Sequence, residues 1–247
     1  MLVYLFDGTL EGLFTCVFEC YVNKEVPDSI IEERYLQLGF EQRIRTIVTD
    51  HASADRVAEG LRLHAGEEVF GRTWTAFLYC EADKAFLLRY IRAAFTYKRA
   101  VFNMLAHEDV NPVMKATVYV ERETQHLRGF TRFSLMENGV YFSRIRPSNN
   151  VLPMLMPHFA DRYNDQPFII YDPVHELAGV YPLSEWYLVG TNEITLPEEA
   201  EDEGEWKALW SRFYKTIGIQ ERKNGRQRRN MCPKRFWGDM VEMRGEV

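Results

Sequence analysis

Residue types able to do chemistry gather in two places in this 247-residue chain. In the first, Leu155-Met156-Pro157-His158-Phe159-Ala160-Asp161-Arg162-Tyr163, the side chains of His158 and Arg162 stand four apart. On a helix they share one stripe beside the apolar Leu155 and Phe159 face, at a half-buried edge. An imidazole there can exchange a proton near neutral pH, and a fixed guanidinium beside it can hold a phosphate. Asp172 closes the β-rich run Phe168-Ile169-Ile170-Tyr171 and is placed to orient the imidazole or to hold a metal. Together they describe an enzyme acting on a nucleotide or damaged base, with His158 as general acid or base, Arg162 on phosphate and Asp172 as the orienting carboxylate. The same three residues also describe a structural network in which Asp172 pairs with Arg162 and ties helix to strand.

The second place is the carboxyl-terminal stretch. Trp206 to Arg235 holds ten basic residues and one acidic residue, whereas the chain up to Glu205 holds 19 basic and 32 acidic. Arg222, Lys223, Arg226, Arg228, Arg229, Lys234 and Arg235 interleave with Phe236 and Trp237, which combines point charges for phosphates with flat rings, Phe236 or Trp237 packing on a base or on the sheet domain. Nucleic acid is the partner this pattern suggests. Neutralisation of the acidic remainder of the chain is the competing role for the same cations, and a protein-binding scaffold is a third. Arg132 alternates with apolar residues, and Arg144 and Arg146 would join it in a positive patch if strand register brings them together.

These groups must be carried by elements that the hydrophobic pattern locates. Leu2-Val3-Tyr4-Leu5-Phe6 reads as a strand, Asp7-Gly8-Thr9 as a turn with a capping oxygen, and Leu10, Leu13, Phe14, Val17, Phe18 and Tyr21 as one helix face. A β-like run follows at Arg43 to Val48, then helical stretches from Ser53 to Leu63 and from Glu67 to about Leu105; Val113, Ala116, Thr117, Val120, Thr124 and Leu127 fit a further helix face from Asn111, although Thr117-Val118-Tyr119-Val120 on its own suits a strand. After Gly129 the period changes to two, and Glu137-Asn138-Gly139 between β-like runs signals a hairpin. A helix from about Asn150 to Tyr163 tolerates Pro153 in its first turn and is bent at Pro157. Phe168–Tyr171 and Gly179–Tyr181 are two more strands. The expected fold is α+β: a helix-rich amino-terminal half, a central antiparallel sheet with packed helices, and a helical, basic carboxyl-terminal module. The expected organisation is a body of residues 1–196, an acidic linker 197–205 and a module 206–247 packed on the body.

Composition narrows the class further. The net charge of −6 argues against a uniformly basic nucleic-acid protein. Apolar runs stay far short of the roughly 20 residues that cross a bilayer, and the first residues lack a basic region and a cleavage site, so a cytoplasmic protein without a membrane partner is expected. Cys16, Cys20, Cys80 and Cys232 are too few and scattered for a disulfide scaffold or a metal site, and Cys16 and Cys20 suit core positions on one helix face. There is no Gly-x-Ser-x-Gly, His-Glu-x-x-His or phosphate-loop motif, and no cofactor is indicated.

Several ordered blocks nevertheless carry a family likeness. Tyr4 to Gly12, Gly129-Phe130-Thr131-Arg132-Phe133, Ile145-Arg146-Pro147, Leu152 to Arg162, Phe168 to Asp172 and Met231-Cys232-Pro233-Lys234-Arg235-Phe236-Trp237 resemble a bacterial family of unknown function labelled "probable DNA metabolism protein". The family usually has Arg after the Tyr-Asp block, where this chain has Val174-His175. The resemblance implies a role beside a radical SAM protein assigned to DNA modification or repair. It also implies association with a uracil-DNA-glycosylase-type protein, a domain to which some members are fused. It assigns no catalytic residues.

Overall fold

Five successive apolar residues suit a strand covered on both faces, and β1 (Leu2–Phe6) is the centre of a parallel three-stranded sheet in the order β2-β1-β3. Its partners are β2 (Ser29–Glu32) and β3 (Arg43–Thr46). Parallel neighbours need a crossover, supplied after β1 by α1 (Leu10–Val22). Thr9 caps that helix, its hydroxyl accepting from the Gly12 N–H, while the Asp7 carboxylate accepts from the Thr9 N–H and hydroxyl and from the Thr49 hydroxyl. Cys16 and Cys20 are buried on the core face of α1.

The computed structural model describes residues 1–36, 41–190, 203–204, 206–209, 212 and 225–243. They form two compact units, Met1–Glu121 and Arg122–Val247. In the first unit, α2 (His51–Ala65), α3 (Glu67–Phe77), α4 (Ala85–Tyr97) and the start of α5 (Asn111–Phe130) close a core around Leu61, Val69, Leu87, Tyr90, Ile91 and Val113. The aromatic stripe of this region is core packing. β2, at Ser29–Glu32, has no counterpart among the strands expected from the sequence.

The second unit holds a five-stranded sheet in the order β4-β5-β6-β7-β8: β4 (Ser134–Leu135), β5 (Tyr141–Arg144), β6 (Phe168–Asp172), β7 (Leu177–Tyr181) and β8 (Tyr187–Gly190). The hairpin at Glu137-Asn138-Gly139 is present: Gly139 has φ +77° and donates to the Met136 carbonyl, and Val140 donates to the Asn138 side chain. The sheet is mixed, which corrects the expected antiparallel arrangement. β5 and β6 run parallel because α6 (Leu152–Arg162) crosses between them. The α+β class stands.

α6 rests closely on β7. A side-chain carbon at Gly179 would run into the Met156 sulfur, so any larger residue here forces that side chain to move. Phe133, Phe159, Tyr163, Phe168 and Tyr181 form a ring-to-ring cluster with centroid separations of 5.2–6.5 Å between contacting pairs. The carboxyl-terminal segment adds α7 (Gly225–Met231) and two short 3-10 turns, Lys234–Asp239 and Val241–Met243. Among the described residues no helix is long and apolar enough to cross a membrane.

Candidate nucleic-acid interface and an arginine-lined cleft

Arginine is planar, permanently charged and able to bind carboxylate or phosphate in the same way. A cation's availability to phosphate therefore depends on whether a carboxylate of the protein already holds it. Arg132 is held: its guanidinium donates to the Glu242 carboxylate at 2.7 and 3.2 Å, and to the Gly129 and Thr131 carbonyls. Arg146 binds both Asp239 oxygens, at 2.6 and 2.7 Å. Arg235 donates to the Ser148 hydroxyl, pairs with Glu123 at 3.1 Å and covers the Phe236 ring. The patch of Arg132, Arg144 and Arg146, conditional on strand register, is therefore not an open one. Two of its members are matched by carboxylates of the carboxyl-terminal segment, and Arg144 is exposed.

Of the two places open to Trp237, a base or the protein itself, it takes the second. Its side chain is buried at 2% exposure and its indole N–H donates to the Cys232 carbonyl at 2.9 Å, so no base can stack on it. Phe236 is buried against His126 and Phe130. Arg228 and Lys234 approach the Trp237 ring at 5.0 and 5.5 Å, a cation–π arrangement. Arg226 and Arg229 are exposed on α7, Lys234 is exposed beyond it, and none of these three has a carboxylate within salt-bridge distance among the described residues. Arg222 and Lys223 lie outside the described residues, as do most of the acidic stretch 197–205 and residues 210, 211, 213–224 and 244–247 of the expected carboxyl-terminal module. Within that acidic stretch Glu203 is buried, and its carboxylate accepts from the Leu135 N–H at 3.0 Å.

The three residues of the enzyme reading separate. Asp172 is fully buried, and its carboxylate accepts from the Val174 and His175 N–H groups and meets His175 Nδ1 at 2.6 Å. This staples the β6–β7 turn. Neither His158 nor Arg162 is its partner, so both the orienting role and the expected Asp172–Arg162 pair are replaced by His175, a residue the spacing argument passed over. The signal was legible: an Asp at a strand end three residues before a His is a local turn pattern.

His158 and Arg162 remain together on α6. Burial first, and then the charges of Arg128 and Arg162, hold the His158 imidazole below its usual pKa, with Asp161 opposing. Beside them opens a cleft of about 600 Å³ whose lining includes Arg128, Arg132, Phe133, Arg162, Tyr163 and Lys207. Arg128, on the last turns of α5, was not singled out from the sequence because its charge sits among ordinary helix-surface residues. Its Nε is shielded from solvent and has no hydrogen-bond partner among the described residues. Among the described residues no cluster of three or more His, Cys, Asp or Glu side chains could hold a metal ion.

An α+β chain with this arginine-rich second unit matches, over residues 81–242, the model of a family described as a domain of unknown function, DUF4130. The match covers well over half of the chain, which therefore belongs to that family. No curated protein matches it.

Proposed function

We propose that this protein is a DNA-binding component of a DNA-processing system, engaging the phosphate backbone through cations near its carboxyl end. In this reading residues 206–247 are the basic module that follows an acidic linker at 197–205. The protein works in the cytoplasm beside a radical SAM protein and a uracil-DNA-glycosylase-type protein, the partners implied by its resemblance to the DNA-metabolism proteins. The observation that supports it is the contrast among cations. Arg132, Arg146 and Arg235 are matched by Glu242, Asp239 and Glu123, whereas Arg226, Arg229 and Lys234 are exposed without a carboxylate in reach among the described residues.

Each phosphate contact releases counterions and adds a slope of about −0.9 in log affinity against log salt on duplex, or about −0.7 on single strands. Titrating duplex and single-stranded oligonucleotides at several salt concentrations is the test. Wild type should bind with a steep slope, and Arg226→Gln with Arg229→Gln should flatten it by about 1.4 to 1.8 for two lost contacts. An unchanged slope in the double variant, or no binding by wild type at low salt, refutes the proposal.

A further inference from the structure

The cleft of the second unit combines two kinds of chemistry. Its lining carries the cations Arg128, Arg132, Arg162 and Lys207 together with the rings of Phe133 and Tyr163, and encloses about 600 Å³. That size is within the range of small-molecule sites. Two of the four cations have a carboxylate nearby: Glu242 binds Arg132 at 2.7 Å, and Glu203 stands 3.9 Å from Lys207. Arg128 and Arg162 do not, among the described residues. Arg162 is exposed with its guanidinium 5.8 Å from the Tyr163 ring centre, and the Arg128 Nε–H is buried without an acceptor among the described residues. A donor shielded from water and left unpaired is costly, and an anion in the cleft would relieve that cost.

A purely apolar ligand leaves two unmatched guanidinium groups without a purpose, and a bare anion makes no use of the rings. A planar heterocycle carrying a phosphate uses both, through stacking and charge-assisted hydrogen bonds. We propose that this cleft binds a nucleotide, its phosphate held by Arg128 and Arg162 and its base against Tyr163 and Phe133. The nucleotide is either free or a single unit of a strand turned out of its stack. This rests on the DNA-binding reading for the second source, although each can fail without the other.

His158, next to Phe159 and four residues before Arg162 in the cleft lining, supplies the test, since an anion docked between Arg128 and Arg162 offsets the two charges that, after burial, hold its imidazole pKa down. The full chain is titrated by NMR at the His158 ring signal, alone and with a deoxynucleoside 5′-monophosphate, the unphosphorylated nucleoside, inorganic phosphate, or a single-stranded oligonucleotide. The expected result is an upward shift with the monophosphate or the oligonucleotide, weaker or absent with nucleoside and phosphate. Arg162→Gln, an exposed change that leaves folding intact, should weaken binding by about tenfold or more. A response to the oligonucleotide but not to the monophosphate identifies a strand as the source; a response to the monophosphate without oligonucleotide binding keeps the cleft and removes the DNA reading. Salt-dependent DNA binding with a silent His158 overturns the cleft and spares that reading. Equal binding of inorganic phosphate and monophosphate also overturns it.

Discussion

At the scale of single residues, the second unit is organised by buried carboxylates rather than by its arginines. Glu123 is almost fully buried and accepts from the Ser148 and Asn149 N–H groups and the Asn149 amide, at 2.7–2.9 Å, as well as from Arg235. Replacing it by Ala leaves the Ser148 and Asn149 N–H groups and the Asn149 amide without their acceptor, at about 1–3 kcal/mol for each donor that stays buried and unpaired. Its exposed partner behaves differently, because solvent screens it: Arg235→Gln should cost about 1 kcal/mol or less. Urea denaturation of the two variants checks the asymmetry, and equal losses would contradict it. Residue types that the sequence offered as phosphate ligands, Arg132 and Arg235 among them, turn out to hold the chain together because their acids lie 110 and 112 residues away along it. Spacing arguments are blind to such partners.

At the scale of elements, periodicity located most helices and strands but not the closeness of their packing. The residues from Asn111 to Leu127 read as a helix face and form α5; the Asn-Gly hairpin and the helix before β6 are where the pattern put them. What the pattern lacks is the direction of β6, which depends on α6 crossing over between β5 and β6. The tight seat of that helix predicts that Gly179→Ala destabilises by about 1–3 kcal/mol, the usual cost of overfilling a packed site. Trimming Met156 to Ala in the same chain should return part of this loss, because the clash is with its sulfur. Additive losses in a double-mutant cycle would show that the contact is not what glycine relieves.

At the scale of the molecule, charge is distributed unevenly along the chain, and burial makes some of it a stability variable. Lys84 is buried with its ammonium donating to the Phe77 and Tyr79 carbonyls at the end of α3, and burial brings its pKa down to about 8. Between that value and the usual lysine range the unfolded chain binds a proton that the folded one does not, so stability rises with pH there. Cys16 and Cys20, whose thiols burial pushes up, act in the opposite sense above the usual thiol range. The Lys84 contribution is therefore read as the difference between wild type and Lys84→Met. That difference should move in favour of wild type as the pH rises through about 8, followed by denaturant midpoints. A pH-independent difference would remove Lys84 as the cause.

The amino-acid sequence by itself determined the α+β class, the positions of most helices and strands, the buried place of Cys16 and Cys20, and the concentration of positive charge near the carboxyl end. Each of these follows from local order: period, capping and composition act over a few residues. Tertiary structure decided which charges remain open to a partner. It neutralised Arg132, Arg146 and Arg235, buried Trp237, gave Asp172 to His175, and lined one cleft with Arg128 and Arg162. Pairing and desolvation depend on what folding brings within a few ångströms, a distance that separation along the chain does not encode.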